Sequence, residues 1–243
     1  MRFLLANDDG IAAPGLELLA EVAGELGEVV VVAPDGPRSG YSHRVTIEKP
    51  LTVSSHGRDR FAINGTPADC VRIGLVEQEL EIDWVLSGVN AGANLGVDVY
   101  MSGTVAISRE AGLFGVPSIA LSQFIRHEGP FDWSSAKPMV RETLETLLAR
   151  RLPRGGYLNV NFPDPRDVSG TARMVECSLD PNPLPVSYHP AGQGVLYGID
   201  YCNRPRDPGT DVAVCFGGAI SISEVVPVCA SHAGADSLWQ PRS

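Results

Sequence analysis

Four valines in a row, Val29 to Val32, constrain this chain more than any other stretch. A strand with one face in water alternates apolar and polar residues, whereas the run from Glu28 to Ala33 has no polar face to offer and must be covered on both sides. Arg2 to Ala6 is a second short apolar run. Between the two, Leu16, Leu19, Ala20, Ala23 and Leu26 recur at helical spacing behind Pro14, a residue tolerated in the first turn of a helix. Strand, helix and strand in this order open a parallel α/β sheet.

Val45-Thr46-Ile47, Leu51-Thr52-Val53 and Arg60 to Ile63 then alternate, which predicts antiparallel strands or hairpins at the sheet edge. Parallel order resumes with a helix over Asp69 to Glu79, a buried strand over Asp83 to Ser87 and a helix over Gly103 to Phe114. A strand over Ser118 to Leu121, a long amphipathic helix over Trp133 to Arg151 and a strand over Tyr157 to Asn161 complete it. The fold class is therefore α/β, a mostly parallel sheet flanked by helices. From about Pro163 prolines and glycines are frequent and helical periodicity is absent. Residues 1–162 read as the main domain and 163–243 as a β-rich extension that packs on it or reaches across to another subunit.

A net charge of -10 argues against nucleic-acid duplexes, since displacing counterions needs a basic face. A small anionic substrate would need local positive charge, and a bound metal ion supplies it most directly. No apolar run is long enough to span a membrane, and Met1 to Leu5 leads straight into Asn7-Asp8-Asp9. Neither a membrane partner nor a signal peptide is expected, and the cytoplasm is the expected compartment. The five cysteines, Cys70, Cys177, Cys202, Cys215 and Cys229, lack C-x-x-C spacing and read as small apolar residues.

Ligands of open parallel sheets gather at the carboxyl ends of the strands. Asp8 and Asp9 follow the first strand, and adjacent carboxylates repel unless a cation or proton lies between them. Hard oxygen ligands there suit Mg²⁺, Mn²⁺ or Ca²⁺ better than zinc; an acidic turn in which Asp9 caps the next helix is the plainer account. After the second strand come Arg38-Ser39-Gly40, where a hydroxyl can ligate a hard metal and Arg38 can offset negative charge. After Trp84-Val85-Leu86 come Ser87-Gly88-Val89-Asn90-Ala91-Gly92-Ala93-Asn94-Leu95-Gly96 and then Ser102-Gly103-Thr104. Asparagine carbonyls suit a metal, asparagine amides suit phosphate oxygens, and free amides at the start of the Gly103 helix make an anion site.

These motifs, with Asn7-Asp8-Asp9-Gly10 and Asn64-Gly65-Thr66-Pro67-Ala68-Asp69-Cys70, resemble the SurE (survival protein E) family in order and spacing from Met1 to about Leu121. The resemblance implies a Rossmann-like main domain and a metal-dependent 5'/3'-nucleotidase of the phosphoric monoester hydrolase class. It also implies an oligomerising extension, making a homodimer or homotetramer. Carried over by position, Asp8, Asp9, Ser39 and Asn90 hold one divalent metal ion per subunit, Mg²⁺ or Mn²⁺, with Ca²⁺ able to stand in for it in a crystal. Asn94, Ser102, Gly103 and Thr104 hold the phosphate. Gly209-Thr210-Asp211 and Ala219 to Ile222 resemble later family motifs, but Ser223 to His232 departs from the family's run, with Val228 where an Asp is usual.

The expected reaction is in-line attack of a metal-activated water on a nucleoside monophosphate, with Asp8 or Asp9 taking the proton. Haloacid-dehalogenase-like phosphatases carry Asp-x-Asp rather than adjacent acids, and a receiver domain needs a further Asp and a Lys absent here. The contrasting reading is a catalytically weakened nucleotide-binding regulatory protein on the same fold. His43, near the Ser39 loop, reads as a surface histidine. His56, His127 and His189 lie in apparent loops, and Gln123 to Asp132 is a candidate cover over the site.

Overall fold

A computed structural model describes residues 1–226. The chain runs through β1 (Arg2–Ala6), α1 (Pro14–Gly24), β2 (Glu28–Pro34), β3 (Val53–Ser55), β4 (Arg60–Ile63) and α2 (Pro67–Arg72). It continues through β5 (Trp84–Ala91), α3 (Gly103–Leu113), β6 (Ser118–Gln123), α4 (Lys137–Leu147) and β7 (Tyr157–Phe162). The remaining elements are β8 (Met174–Glu176), β9 (Val186–Ala191), β10 (Gly194–Ile199), α5 (Asp211–Phe216) and β11 (Ile220–Val225).

Among the described residues nine strands form one sheet in the order β3-β4-β2-β1-β5-β6-β7-β11-β8. Neighbours from β4 to β7 are parallel, while β3 and β11 run against β4 and β7. The valine run is covered on both sides, as its sequence requires. Val31 and Ala33 face the core beneath α1 and α4, and Val30 and Val32 face the core beneath α2 and α3. β1 divides likewise, with Phe3 and Leu5 on one face and Leu4 and Ala6 on the other.

The chain moves outward from β1 through β2 to β4 and β3, then returns to lay β5 on the other side of β1. The carboxyl ends of β1 and β5 thus flank the point where strand order reverses, the place where an open sheet leaves a crevice. Several sequence expectations shift at the edges. Val45 to Ile47 forms no strand, and β4 is antiparallel only to β3, lying parallel to β2. α2 begins at Pro67 because Thr66 caps it: Thr66 Oγ1 accepts from Asp69 N, and the Asp69 carboxylate accepts from Thr66 N. The Pro/Gly-rich last third holds α5, a helix too short for its periodicity to register.

That last third also completes the main sheet. β11 slots between β7 and β8, while β9 and β10 pair, among the described residues, with each other alone as a hairpin. Asp211 is fully buried and accepts from the amides of Gly96, Asp180 and Val212 at 2.7, 2.8 and 2.9 Å. It therefore fastens the glycine-rich loop behind β5 to the C-terminal segment. Pro227 to His232, including Val228 and Cys229, lie outside the described residues.

Candidate active site

β1 ends in a tight turn that aims two carboxylates outward. Asn7 is fully buried; its Oδ1 accepts from Gly10 N at 3.2 Å and its Nδ2 donates to Gly10 O at 2.9 Å. Gly10 has φ +104°, a conformation that L side chains rarely adopt. Asp8 is almost wholly buried, and its Oδ1 accepts from the Thr104 hydroxyl at 2.5 Å. Arg38 N donates to the Asp8 carbonyl at 2.7 Å, which brings the Ser39 loop beside the acid pair. Asp9 accepts from Ala91 N at 3.2 Å, joining the end of β1 to the end of β5.

The pairing of β5 with β6 slips between Ser87 and Asn90, an irregularity of the kind that re-aims side chains. Asn90 Nδ2 donates to Gly92 O at 2.8 Å. Its Oδ1 has no donor among the described residues. Asn94 is clamped more firmly: its N donates to Asn161 Oδ1 at 2.7 Å and its Nδ2 to Ser122 Oγ at 2.8 Å. Its carbonyl accepts from Asn159 and Asn161. One Nδ2 hydrogen and Oδ1 remain to be used.

Ser102 caps α3, its Oγ accepting from Val105 N at 3.0 Å. Among the described residues no group accepts from the Gly103 or Thr104 amide, which leaves two donors at the positive end of an eleven-residue helix. Gly103 meets Asp8 so closely that a Cβ there would stand 2.7 Å from Asp8 Oδ2.

These groups border one cleft of about 340 Å³, lined by Asp8, Asp9, Ser39, Asn90, Asn94, Ser102 and Gly103. Thr104 stands behind it, holding Asp8. Seven of the eight residues singled out from the sequence thus share one cavity, with the eighth in contact. The opposite wall comes from the last third of the chain, with Leu184, Tyr197, Ile199 and Tyr201. Tyr201 donates its hydroxyl to Asp98 at 2.6 Å, and the fully buried Arg204 donates to the same carboxylate at 2.8 Å. No motif marks that wall. Asn159 and Asn161 were legible in principle, as two amides at period two inside an apolar strand.

Among the described residues no lysine or arginine lines the cleft. Arg38, expected to offset charge there, instead pairs with Asp35 and donates to Gly65 O. Burial, reinforced by the neighbouring Asp9, pushes the Asp8 carboxyl up to about 6 against the pull of the Thr104 hydroxyl. Keeping Asp8 ionised near neutrality thus costs the bare fold roughly 3 kcal/mol. Two carboxylates, a hydroxyl and a free amide carbonyl suit a hard divalent cation, and such an ion would remove that penalty. Asp8, Asp9, Ser39 and Asn90 are the residues that would hold it.

The other groups weighed from the sequence lie elsewhere. His43 pairs with the buried Glu110 at 2.6 Å, His127 with Asp167 at 2.9 Å, and His189 contacts Ser187. His56 is exposed in a loop. Asp69 serves the α2 cap and accepts from Thr46 N. Gln123 to Asp132 contributes nothing to the cleft lining; Phe124 from this segment stacks on Phe216 of α5 at 4.4 Å.

The family described as survival protein SurE matches residues 3–179. The 5'-nucleotidase SurE of Paramagnetospirillum magneticum is 38% identical, over 94% of this chain and 90% of its own. That of Citrifermentans bemidjiense is 37% identical over 99% of each. The crystal structure of the Sure protein from Aquifex aeolicus superposes with a TM-score of 0.80 at 33% identity, covering 95% of both chains. Among the described residues no helix is long and apolar enough to cross a membrane.

Proposed function

The chain belongs to the survival protein SurE family, and from that premise we propose that its cleft hydrolyses nucleoside 5'- and 3'-monophosphates with one bound divalent cation, Mg²⁺ or Mn²⁺. It is a phosphoric monoester hydrolase, a class its 5'-nucleotidase relatives share. The observation that carries the cation is Asp8, buried and raised to about 6 in a cleft to which no described residue brings a basic side chain. When bound, the ion supplies positive charge to the phosphoryl group and acidifies a water. Thr104 fixes the orientation of Asp8, and the Gly103 and Thr104 amides, with Asn94 Nδ2, receive the phosphate oxygens. Asp8 or Asp9 accepts the proton of the attacking water. Phosphate release from a panel of 5'- and 3'-nucleotides, each with EDTA, Mg²⁺ or Mn²⁺, tests the reading. Release that persists in EDTA would remove the cation, and no release with any metal would leave a binding protein.

Proton and cation compete for Asp8 on this reading. With a carboxyl titrating at about 6, metal affinity is flat above that pH and falls by about tenfold for each pH unit below it. Stability of the metal-free protein moves the opposite way between the usual 3.8 and 6, declining as pH rises, because there the folded state binds more protons than the unfolded one. Calorimetric titration of Mg²⁺ at pH 5, 6 and 7 checks the first statement; an affinity unchanged across that series would remove Asp8 from the ligand set.

The β9–β10 hairpin exposes Val186, Tyr188, Val195, Leu196 and Tyr197. We assign its cover to a second copy of the chain, in a homodimer or homotetramer, because an apolar patch rarely stays in water. Sedimentation at the 25.8 kDa of one chain would overturn this. Among the described residues Cys70, Cys177, Cys202 and Cys215 form no disulfide, which fits work in the reducing cytoplasm.

A further inference from the structure

A second cavity, of about 360 Å³, opens beside α5 and is lined by Arg126, Arg206, Pro208, Ala213, Phe216 and Gly217. Among the described residues no acidic side chain lines it, in a chain whose net charge is -10. Arg126 is held in place: its Nε pairs with Asp167 at 2.8 Å and its Nη2 donates to Phe216 O at 3.0 Å. Its guanidinium carbon stands 5.4 Å from the Phe124 ring and 5.7 Å from the Phe216 ring. Arg206 lies 5.1 Å over Phe216, is exposed, and makes only a long 3.4 Å contact to Cys202 O. It has no ion-pair partner among the described residues.

Arg126 has Asp167 as its counter-ion and keeps N–H donors beyond that pair, whereas Arg206 beside it lacks an acidic partner among the described residues, so the cavity carries a positive charge that an anion would neutralise. The faces of Phe124 and Phe216 are already taken, by each other and by the arginines. What remains for a ligand is therefore N–H donors and positive charge rather than a stacking surface. Planar guanidinium forks match phosphate oxygens, and the volume admits a small phosphorylated molecule as well as free phosphate. The same aromatic group borders the catalytic cleft from the other side, through Tyr201 at 6.1 Å from Phe216.

We propose that the Arg126–Arg206 cavity is a second anion site, taking a phosphate dianion, free or as a phosphomonoester, behind the aromatic wall of the cleft. The test is calorimetric titration of the full chain in EDTA with inorganic phosphate and, separately, with 5'-AMP. Without a cation the acid pair Asp8 and Asp9 repels a phosphate dianion from the cleft in spite of its amide donors, and the Arg206 variants leave the cleft unaltered, so this readout does not depend on the hydrolytic reading. Wild type should bind one equivalent per chain, Arg206→Ala should bind about tenfold more weakly, Arg206→Glu more weakly still, and Arg206→Lys in between. Equal affinities for the two probes assign the site to the phosphate group alone, whereas tighter binding of 5'-AMP assigns it to phosphomonoesters. Absence of binding by wild type, or binding by Arg206→Glu equal to wild type, would overturn the proposal. Since Arg206 is exposed, thermal melting of each variant is expected to match wild type, which separates lost binding from lost fold.

Discussion

Asp8→Asn is expected to lower metal-dependent phosphate release by about a thousandfold, the range seen when a site loses its proton acceptor together with charge at a metal. The substitution keeps shape: the Asn Oδ1 still accepts from Thr104, whose hydroxyl donates to Asp8 Oδ1 in the native chain. What disappears is one negative charge. The same change has the opposite effect on the bare fold. An ionised Asp8 is disfavoured by burial and by Asp9, so the neutral amide should stabilise metal-free protein at pH 7 by up to about 3 kcal/mol. Melting curves in EDTA and in Mg²⁺ read both effects: wild type should melt lower in EDTA and rise with Mg²⁺, and the variant should melt higher in EDTA and not respond. A variant that kept full activity and metal affinity would show that Asp8 is not in the machinery.

Gly103→Ala tests the site by volume instead of charge. A Cβ at 103 would lie 2.7 Å from Asp8 Oδ2 and 2.8 Å from Asp8 Cβ, closer than carbon approaches either atom without something moving. Neither partner yields cheaply, since Asp8 is tied to Thr104 and Gly103 sits in the first turn of α3. The expected result is a loss of about a hundredfold in kcat, typical when reacting groups shift by about 1 Å. Overpacking should cost about 1–3 kcal/mol of stability. Gly24→Ala is the control, because nothing lies within 4 Å of its added carbon and a helical alanine gains about 0.5–1 kcal/mol over glycine. Gly103→Ala with wild-type kinetics would mean that the contact with Asp8 has no part in turnover.

The half of the cleft formed by Asp8, Asp9, Ser39, Asn90, Asn94 and the Ser102 turn was legible because strand ends in a parallel sheet converge, and the unalternating runs at Leu4 and Val30 identify those strands. Short local signals carried the rest of that half: adjacent acids, glycines beside asparagines, a cap before α3. The other half was not legible, for physical reasons. Tyr201 and Arg204 act through one contact each with Asp98, more than a hundred residues earlier, and no local pattern announces a pairing of that length. α5 has six residues, fewer than two turns. Arg38 was misjudged because Asp35, three residues before it, is a nearer partner than the cleft. His43 was read as a surface residue, yet it is largely shielded and engages a buried glutamate.

β11 lies between β7 and β8 although it follows both in the chain, and Asp211 hooks Gly96 across 115 positions. For a polypeptide emerging from the ribosome, this order of insertion sets a schedule. β1 to β7 can assemble as they appear, but the outer edge of β7 stays open and β8 has no neighbour to join until Val225 has been delivered. Throughout that interval the nascent chain presents an unpaired strand edge, the surface on which aggregation and chaperone capture begin. The glycine-rich loop waits for Asp211 over the same interval, so a ribosome-bound fragment ending before residue 210 would carry the acid pair and the residues of the far wall without the anchor that holds the loop between them. Acquisition of a complete cleft is thereby deferred until Asp211 and β11 have been made.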